Sequence, residues 1–321
     1  MASEEAKETL KVGEKEKKKI KPEEKSVDSA TIQMLYKAQQ DGVETIFDRA
    51  ETMKPCNIGI QGTCCKMCAQ GPCRLPLTKK DLEGKDTRMG LCGATPETIA
   101  ARNFARMIAA GAAAHSDHGR GVAEVFLAAA RKESEDYKIK DEDKLKEIAG
   151  DFGVSTTVVV DGEEKDRDVY DIAVEVGEKA LGEWGKQEGE IYYAKRAPKP
   201  RYDLWKKLDI IPRGIDREIV EIMHRTHMGV DQDYKNLMKQ GSRAALADGW
   251  AGSMMATDMQ DVLFGTPFPI QGEINLGVLK KDHVNIIVHG HDIHMILFQN
   301  PQVNFPLDRK RGSQTARPAY R

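Results

Sequence analysis

The sequence predicts an α + α/β protein, in which a mostly helical N-terminal domain precedes the start of a Rossmann-like α/β domain. Apolar residues recur at helical spacing in segments as far as about residue 247, which indicates several amphipathic helices. The β-branched run Val-Asn-Ile-Ile-Val-His over 284–289, ending at Gly290, is typical of a buried strand of an α/β sheet. All six cysteines lie between Cys56 and Cys92, in a segment whose glycines and prolines predict an irregular loop.

Length and composition limit the classes of function. A chain of 321 residues can form two ordinary domains. The formal net charge of −2 gives no general argument for binding nucleic acid or a membrane surface. No apolar stretch approaches the ~20 residues that cross a bilayer, and the first residues lack the basic start and apolar block of a signal peptide. We therefore expect a cytoplasmic protein with no transmembrane segment and no nucleic-acid partner.

Composition also indicates the domain boundaries. Residues 1–25 are dominated by lysine, glutamate and small residues and predict a disordered charged tail. Residues 26–275 predict the helical domain, with the cysteine loop over 55–93. Residues 276–321 predict an incomplete start of the α/β domain, whose tail is aberrant from about residue 292 because it is rich in arginine and has little periodicity.

Capping residues indicate where helices begin. A helix is expected to begin near Ser26 or Asp28 and to carry apolar residues as far as Phe47. Thr95-Pro96-Glu97 predicts the start of an alanine-rich helix over 99–114. The charged residues 133–167 are expected to be peripheral. Further helical patterns are present over 122–129, 168–185, 214–226 and 231–247, and a turn is expected at Asp161-Gly162.

The cysteine spacing predicts a metal centre. In a reducing cytosol, clustered cysteines are more often metal ligands than structural disulfides. A [4Fe–4S] cluster needs four thiolates, typically three from one tight loop and one from further along the chain. Four of the cysteines meet this requirement, and Gly71-Pro72 allows the sharp turn before the third of them. These four candidate ligands are Cys65, Cys68, Cys73 and Cys92.

Two cysteines remain after this assignment. Cys56 and Cys64 are two ligands short of a second [4Fe–4S] cluster, and a two-fold homodimer would supply the other two. Zinc is the alternative metal because Cys-x2-Cys is common to both kinds of site. The adjacent pair Cys64-Cys65 and the remote Cys92 favour iron–sulfur. Buried free cysteines are the least favoured interpretation.

Eight stretches, in order over about residues 28–291, carry a family resemblance. They are Phe47-Asp48-Arg49, Cys56 to Arg74, Gly90-Leu91-Cys92-Gly93-Ala94, Gly111-Ala112-Ala113-Ala114-His115, His227-Met228-Gly229, Ala245-Leu246-Ala247-Asp248, Leu263-Phe264-Gly265-Thr266-Pro267 and His289-Gly290-His291. In these stretches the sequence resembles the N-terminal part of the anaerobic nickel–iron carbon monoxide dehydrogenases. The resemblance implies oxidation of CO with water to CO2, with the electrons passed to a ferredoxin-like acceptor.

The resemblance also implies roles for the cysteines. The four candidate ligands, Cys65, Cys68, Cys73 and Cys92, would hold a [4Fe–4S] cluster within each subunit. Cys56 and Cys64 would supply half of a cluster shared across a homodimer.

Three histidines and an aspartate receive roles in the same way. His291 would be the histidine ligand of the nickel–iron–sulfur cluster at which CO reacts, and Asp248 matches an acidic residue close to that cluster. His115 and His118 match the start of a histidine row on a helix that carries protons away, and their i, i+3 spacing places them on one helical face. Other interpretations remain open: helix-end histidines for His115 and His118, a structural histidine for His291, and a surface carboxylate at a helix end for Asp248.

The sequence departs from the family in two places. The histidine row continues in the family, but the corresponding residues here are Gly121 and Glu124, so a proton path along that face is expected to be shortened or rerouted. The family pattern is lost after His291, and no cysteine follows Cys92 although a nickel–iron–sulfur cluster needs several thiolates. We therefore expect a truncated member that is inactive alone and does not assemble that cluster. The alternatives are an iron–sulfur electron-transfer module, half of a split enzyme, or a zinc-binding module.

Overall fold

The computed structural model describes residues 20–53, 55–76 and 78–267, which fall into two compact units, 20–55 and 56–267. The predicted strand over 284–289, His291 and the tail from about residue 292 lie outside the described residues. So does most of the charged tail, although its last residues, Pro22–Lys25, form a short helix, α1.

The first unit continues with two helices where the sequence predicted one. Helix α2, Ser29–Asp41, begins after Asp28, whose carboxylate accepts a hydrogen bond of 2.6 Å from the backbone N–H of Thr31. This confirms Asp28 as the cap. Gly42 follows α2 with a φ of 67°, and this left-handed conformation ends the helix because glycine adopts it without steric cost. The apolar residues up to Phe47 therefore lie partly on a separate helix, α3, Ile46–Thr52.

The second unit is mainly helical. Its helices are α4 Asn57–Ile60, α5 Pro96–Ala130, α6 Glu142–Asp151, α7 Val169–Gly185, α8 Lys199–Leu208, α9 Ile215–Arg225, α10 Tyr234–Ala247 and α11 Met254–Phe264, with a 3-10 helix at Tyr192–Arg196 and a π-helical segment at Asp248–Ser253. Two antiparallel hairpins accompany them, β1 Cys64–Cys65 with β2 Cys73–Arg74, and β3 Thr157–Val160 with β4 Glu163–Asp166. In the described part of the chain, no helix combines the length and apolar character required to span a membrane.

Helix α5 is the centre of this unit. As predicted, Thr95 caps it and Pro96 occupies its first turn. It continues for 35 residues, so the two helices expected over 99–114 and 122–129 are one. Its neighbours are α7, α9, α10, α11 and the π-helical segment. Gly119 does not break α5 but lets the π-helical segment approach, because a Cβ at this position would overlap with the carbonyl oxygen of Gly252.

The expectation that residues 133–167 are peripheral is wrong for α6. Leu145, Ile148 and Phe152 are almost completely buried in the main core, where they pack with side chains of α5, α7 and α11. Apolar residues at i, i+3 and i+7 explain why a helix with many charges can bury one face. The predicted turn at Asp161-Gly162 is confirmed. Both residues have positive φ, 56° and 84°, as a two-residue hairpin turn requires.

A buried charge network joins α6, the 3-10 helix and α11. The carboxylate of Asp258 accepts a hydrogen bond of 3.0 Å from the hydroxyl of Tyr193 and pairs with Lys144 and Arg196. Burial, the charge of Asp258 and this hydrogen bond raise the pKa of Tyr193, so the hydroxyl remains a donor. The network satisfies polar groups that would otherwise be costly to bury.

Candidate metal centre

The cysteine loop is built on the hairpin β1–β2. Cys65 pairs directly with Cys73 in this hairpin, and Cys68 lies in the turn that connects the strands. The backbone N–H of Gly71 donates a hydrogen bond of 3.3 Å to the carbonyl of Cys68. A Cβ at Gly71 would lie 3.0 Å from the nitrogen of Cys73 and 3.1 Å from the carbonyl oxygen of Cys65. The turn therefore depends on glycine at this position, and the hairpin brings two predicted ligands opposite each other.

The remote cysteine joins the same cluster of residues. Cys65, Cys73 and Cys92 pack together around a small apolar core. The backbone N–H of Leu91 lies 3.5 Å from the Sγ of Cys73 and donates to it. This core consists of Leu75, Ala94, Ile99 and the partly buried Met67. The loop after β2 thus returns the predicted fourth ligand to the hairpin.

Adjacent Cys64 and Cys65 belong to opposite faces of the hairpin. Successive side chains of a strand alternate between faces. In agreement with this alternation, Cys65 is 7% exposed whereas Cys64 is half-buried. The side-chain amide of Asn103 on α5 holds the backbone here by donating to the carbonyls of Gly62 and Cys64, at 2.9 Å and 3.1 Å. Two neighbouring thiols can therefore serve two different centres.

Cys56 and Arg74 lie on the exposed side of the loop. Cys56 precedes α4, and the Nη2 atom of Arg74 lies 3.7 Å from its Sγ. The backbone N–H groups of Gly59 and Ile58 lower the pKa of the Cys56 thiol, and Arg74 acts in the same direction. Arg74 is itself the β-ladder partner of Cys64. Arg74 therefore contacts Cys56 through its side chain and pairs with Cys64 through its backbone.

Cys92 faces a buried arginine. The Nη1 atom of Arg102 lies 3.6 Å from its Sγ, and the amide of Gln232 donates a hydrogen bond of 2.9 Å to its carbonyl. Burial opposes ionisation of the Cys92 thiol, but the hydrogen bonds from Arg102, the N–H of Ala94 and Gln232 outweigh it and lower the pKa of Cys92 to about 7. At neutral pH a substantial fraction of a thiol with this pKa is present as thiolate, which is the form that ligates a metal.

The donor set fits an iron–sulfur cluster. All six cysteines are free thiols. N–H groups point to Sγ atoms, as is usual around iron–sulfur clusters, and the backbone N–H of Leu91 on the Sγ of Cys73 is one example. Within the described ranges, no three His, Cys, Asp or Glu side chains converge closely enough for one metal ion. A four-iron cluster is larger than one ion, so this finding concerns single-ion sites alone.

His115 and Asp248 form a pair at the contact of α5 with the π-helical segment. The Nδ1 atom of His115 lies 3.0 Å from each carboxylate oxygen of Asp248. The Asp248 side chain is 19% exposed, and its burial raises its pKa while His115 acts in the opposite direction. Asp248 is therefore not a surface carboxylate at a helix end, because the chain continues from α10 as a π-helix. His115 lies within α5 and not at its end.

His118 has different neighbours. Its side chain is exposed and borders an open groove between α5 and α9, together with Asp216, Ile219 and Val220. Like His115, it lies well inside α5, so neither histidine is a helix-end residue. The structure therefore brings His115 to Asp248 and places His118 at the rim of the groove.

Sequence reasoning missed three residues of the site. Arg102, Asn103 and Gln232 contact the cysteine loop through hydrogen bonds, yet none belongs to a recognised ligand pattern. One signal was present for Arg102. It lies three residues after Ile99 and three before Ala105, on the buried stripe of an alanine-rich helix, where a charged residue is unusual. Nothing comparable marked Gln232, which lies in the loop before α10.

A comparison of sequences identifies the family. The Prismane/CO dehydrogenase family model matches residues 63–299, which is more than half of the chain. Carbon monoxide dehydrogenase 1 of Methanosarcina acetivorans is 52% identical over 270 residues, covering 84% of this chain and 41% of the relative.

Solved structures agree with the sequence comparison. A nickel-free carbon monoxide dehydrogenase from Thermococcus sp. AM4, produced without the CooC maturase, has a TM-score of 0.72 at 45% identity and covers 86% of this chain and 42% of that one. Carbon monoxide dehydrogenase IV from Carboxydothermus hydrogenoformans has a TM-score of 0.68 at 43% identity, covering 83% and 40%. The chain spans about two fifths of the length of these relatives. With its helical architecture and its cysteine loop, the chain belongs to the Prismane/CO dehydrogenase family.

Proposed function

We propose that this chain is the electron-carrying part of a carbon monoxide dehydrogenase, holding one [4Fe–4S] cluster through Cys65, Cys68, Cys73 and Cys92. The single observation that carries the proposal is the packing of Cys65, Cys73 and Cys92 around one core, although Cys92 is 27 residues from the hairpin's first ligand, Cys65. A cluster bound there would accept and pass on one electron at a time. The chain itself supplies the thiolates, directs N–H groups to sulfur and excludes water with the apolar core.

The proposal includes a second cluster at the interface of a homodimer. Cys56 and Cys64 would each provide one thiolate, and the same residues of a second copy would complete the set. The placement of Cys64 and Cys65 on opposite faces of β1 supports this division. Two electrons from CO would then pass through the clusters to a ferredoxin-like acceptor in the cytoplasm.

The paired His115 and Asp248 supply a candidate proton acceptor. Oxidation of CO with water releases two protons, and histidine titrates in the range suited to accepting them. The carboxylate of Asp248 would orient the ring of His115 through Nδ1. His118 would release protons to solvent at the groove. The next two positions of the row, Gly121 and Glu124, are not histidines, so the row would end at His118. The role of His291 as a ligand of a nickel–iron–sulfur cluster remains a prediction.

Catalysis by the 321-residue chain alone is not expected. No cysteine follows Cys92, whereas a nickel–iron–sulfur cluster needs several thiolates. CO-dependent reduction of a viologen dye should therefore be absent when this chain is purified by itself. Turnover by the isolated chain would contradict this part of the proposal.

Anaerobic purification tests the proposal directly. The chain should be brown, contain iron and acid-labile sulfide in equal amounts, and give an electron paramagnetic resonance signal after reduction with dithionite. Cys65→Ser should lose the part of the iron bound within the subunit, whereas Arg120→Gln, an exposed change on α5, should keep all of it. A folded wild-type chain that contains stoichiometric zinc, or no metal, would overturn the proposal.

A test of electron transfer complements the metal analysis. The reduced chain, freed of dithionite, should reduce an oxidised bacterial ferredoxin in a stopped-flow mixing experiment. The Cys65→Ser chain should transfer fewer electrons per chain, in proportion to its iron. Equal transfer by both chains would show that the electrons do not pass through the cluster proposed here.

A further inference from the structure

Arg102 is a buried cation at the edge of the proposed cluster. It is 1% exposed, although arginine is almost never fully buried without a partner. Its Nη1 atom donates to the Sγ of Cys92 at 3.6 Å, and its Nη2 atom donates to the carbonyl of Asp231 at 3.0 Å. The guanidinium group is therefore fixed against one of the four ligand sulfurs.

No acidic side chain among the described residues forms an ion pair with Arg102. The carboxylate of Asp231 is directed to Arg225, at 3.1 Å, and offers Arg102 only its backbone carbonyl. The Nε atom of Arg102 is buried without a hydrogen-bond partner in the described part of the chain. A buried charge without a counter-charge is strongly unfavourable. Among the described residues, the group able to carry negative charge that contacts Arg102 is the thiolate of Cys92, at 3.6 Å.

The loop before α10 holds Arg102 in this position. Gln232 contacts Arg102 through its Oε1 atom at 3.4 Å and donates to the carbonyl of Cys92 at 2.9 Å. Thr98, one turn before Arg102 on α5, donates to the backbone carbonyl of Gln232 at 2.6 Å. The arginine and the Cys92 segment are thus connected through the same residue, which limits movement of one relative to the other.

We infer that Arg102 is a positioning residue that raises the reduction potential of the cluster ligated by Cys92, through its buried positive charge and its N–H···S hydrogen bond. The inference rests on the proposed function. A cluster with four thiolates has a net negative charge, and reduction by one electron adds another. A fixed cation in a dry environment stabilises the reduced form more than the oxidised form. The shared cluster held by Cys56 and Cys64 has Arg74 beside it instead.

The test compares charge-removing and charge-retaining variants. Arg102→Met and Arg102→Gln remove the charge, whereas Arg102→Lys retains it and loses the planar fork. Arg120→Gln, an exposed change on the same helix, is the matched control. Iron content and the midpoint potentials are measured anaerobically by redox titration with detection by electron paramagnetic resonance. The midpoint of the shared cluster is the internal reference.

In the charge-removing variants, the ratio of reduced to oxidised cluster at the wild-type midpoint should fall about tenfold, a shift of about 59 mV to more negative potential. Arg102→Lys should shift less, and Arg120→Gln should match the wild type. A Met or Gln variant with full iron and the wild-type midpoint would overturn the inference. If neither variant binds iron, the midpoint of Arg102→Lys decides the question: a shift to more negative potential supports the inference, and the wild-type midpoint overturns it. Loss of iron in all three folded variants assigns Arg102 a purely structural role and overturns the inference as well. A wild-type chain without iron would instead refute the proposed function.

Discussion

The Nδ1 atom of His115 lies 3.0 Å from both carboxylate oxygens of Asp248, at the contact between α5 and the π-helical segment. The two residues are 133 positions apart in the sequence, and only the folded chain brings them together. The π-helical segment starts at Asp248 itself. Because π-helical segments occur frequently at functional sites, the π-helical geometry at Asp248 favours a functional role for the pair. Contacts with both carboxylate oxygens restrict rotation of the His115 ring, which is what the proposed role as proton acceptor needs.

Asp248→Asn should change the pH dependence of stability. Burial raises the pKa of Asp248 in the folded chain above its value in the unfolded chain, and His115 opposes the shift only partly. The folded state therefore binds the proton more tightly, so the wild-type chain loses stability as pH rises from about 4 through the raised pKa. Asparagine does not titrate. Scanning fluorimetry from pH 3.5 to 7 should show the melting temperature of the wild type falling relative to the variant, and a constant difference would contradict this account.

Gly119→Ala should destabilise the contact between α5 and the π-helical segment. The added Cβ would overlap with the carbonyl oxygen of Gly252 and lie 3.1 Å from its carbonyl carbon, so backbone must move. Overpacking of this kind costs about 1–3 kcal/mol. The melting temperature should fall by several degrees.

Gly111→Ala is the matched control on the same helix. Among the described residues, no atom other than those of the helix itself and the chain neighbours lies within 4 Å of a Cβ at Gly111. Replacing a helical glycine with alanine there should stabilise by about 0.5–1 kcal/mol. The two variants should therefore shift the melting temperature in opposite directions. A decrease of equal size in both would show that the close approach at Gly252 is not the cause.

The fold was predictable where local chemistry determined it. Thr95-Pro96 begins α5, Asp28 caps α2, and Asp161-Gly162 forms the hairpin turn, because each depends on one or two residues and their immediate neighbours. Tertiary contacts determined what sequence reasoning missed. Helix α5 continues through Gly119 because that glycine packs on another segment, and nothing local indicates this. Helix α6 has apolar residues at helical spacing, but its high charge hides their importance in the sequence, and only the folded chain shows that they pack with α7 and α11.

For the candidate site, cysteine spacing was informative because cysteine is a rare residue and the predicted ligands lie close together in the sequence. The structure brings Cys65, Cys73 and Cys92 together as that spacing indicated. The groups that modulate the thiolates come from distant parts of the chain. Arg102 and Gln232 are 130 residues apart, and their hydrogen bonds with Cys92 depend on how α5 packs beside the loop before α10.

Glu221→Gln should destabilise the chain most at neutral pH. Arg213 and Arg225 donate to the Glu221 carboxylate at 2.5 Å and 2.7 Å. Burial alone would raise the pKa of Glu221, but these arginines outweigh it and lower that pKa to about 2. The carboxylate therefore contributes stability above about pH 4.3, the unfolded value, and this contribution is lost as pH falls toward 2.

Its loss at pH 7 should cost about 2 kcal/mol, because hydrogen bonds to a charged group are removed. The difference in melting temperature between wild type and variant should shrink between pH 5 and pH 3. Glu124→Gln provides the control, since Glu124 is exposed and pairs with Arg120 on the surface, where such pairs contribute little. Equal effects of the two changes at pH 7 would argue against a special role of the arginine cluster.

Cys64→Ser and Cys68→Ser should remove different clusters. If Cys64 contributes to a cluster shared by two subunits, its loss should reduce iron from about six to about four atoms per chain and weaken the dimer. Loss of Cys68 should leave about two atoms per chain and the dimer intact. Iron analysis and light scattering on the same anaerobic samples distinguish these outcomes. Equal iron loss in both variants would contradict the assignment of Cys64 and Cys68 to different clusters, an assignment supported by the placement of Cys64 on the opposite face of β1 from the proposed intrasubunit ligand Cys65.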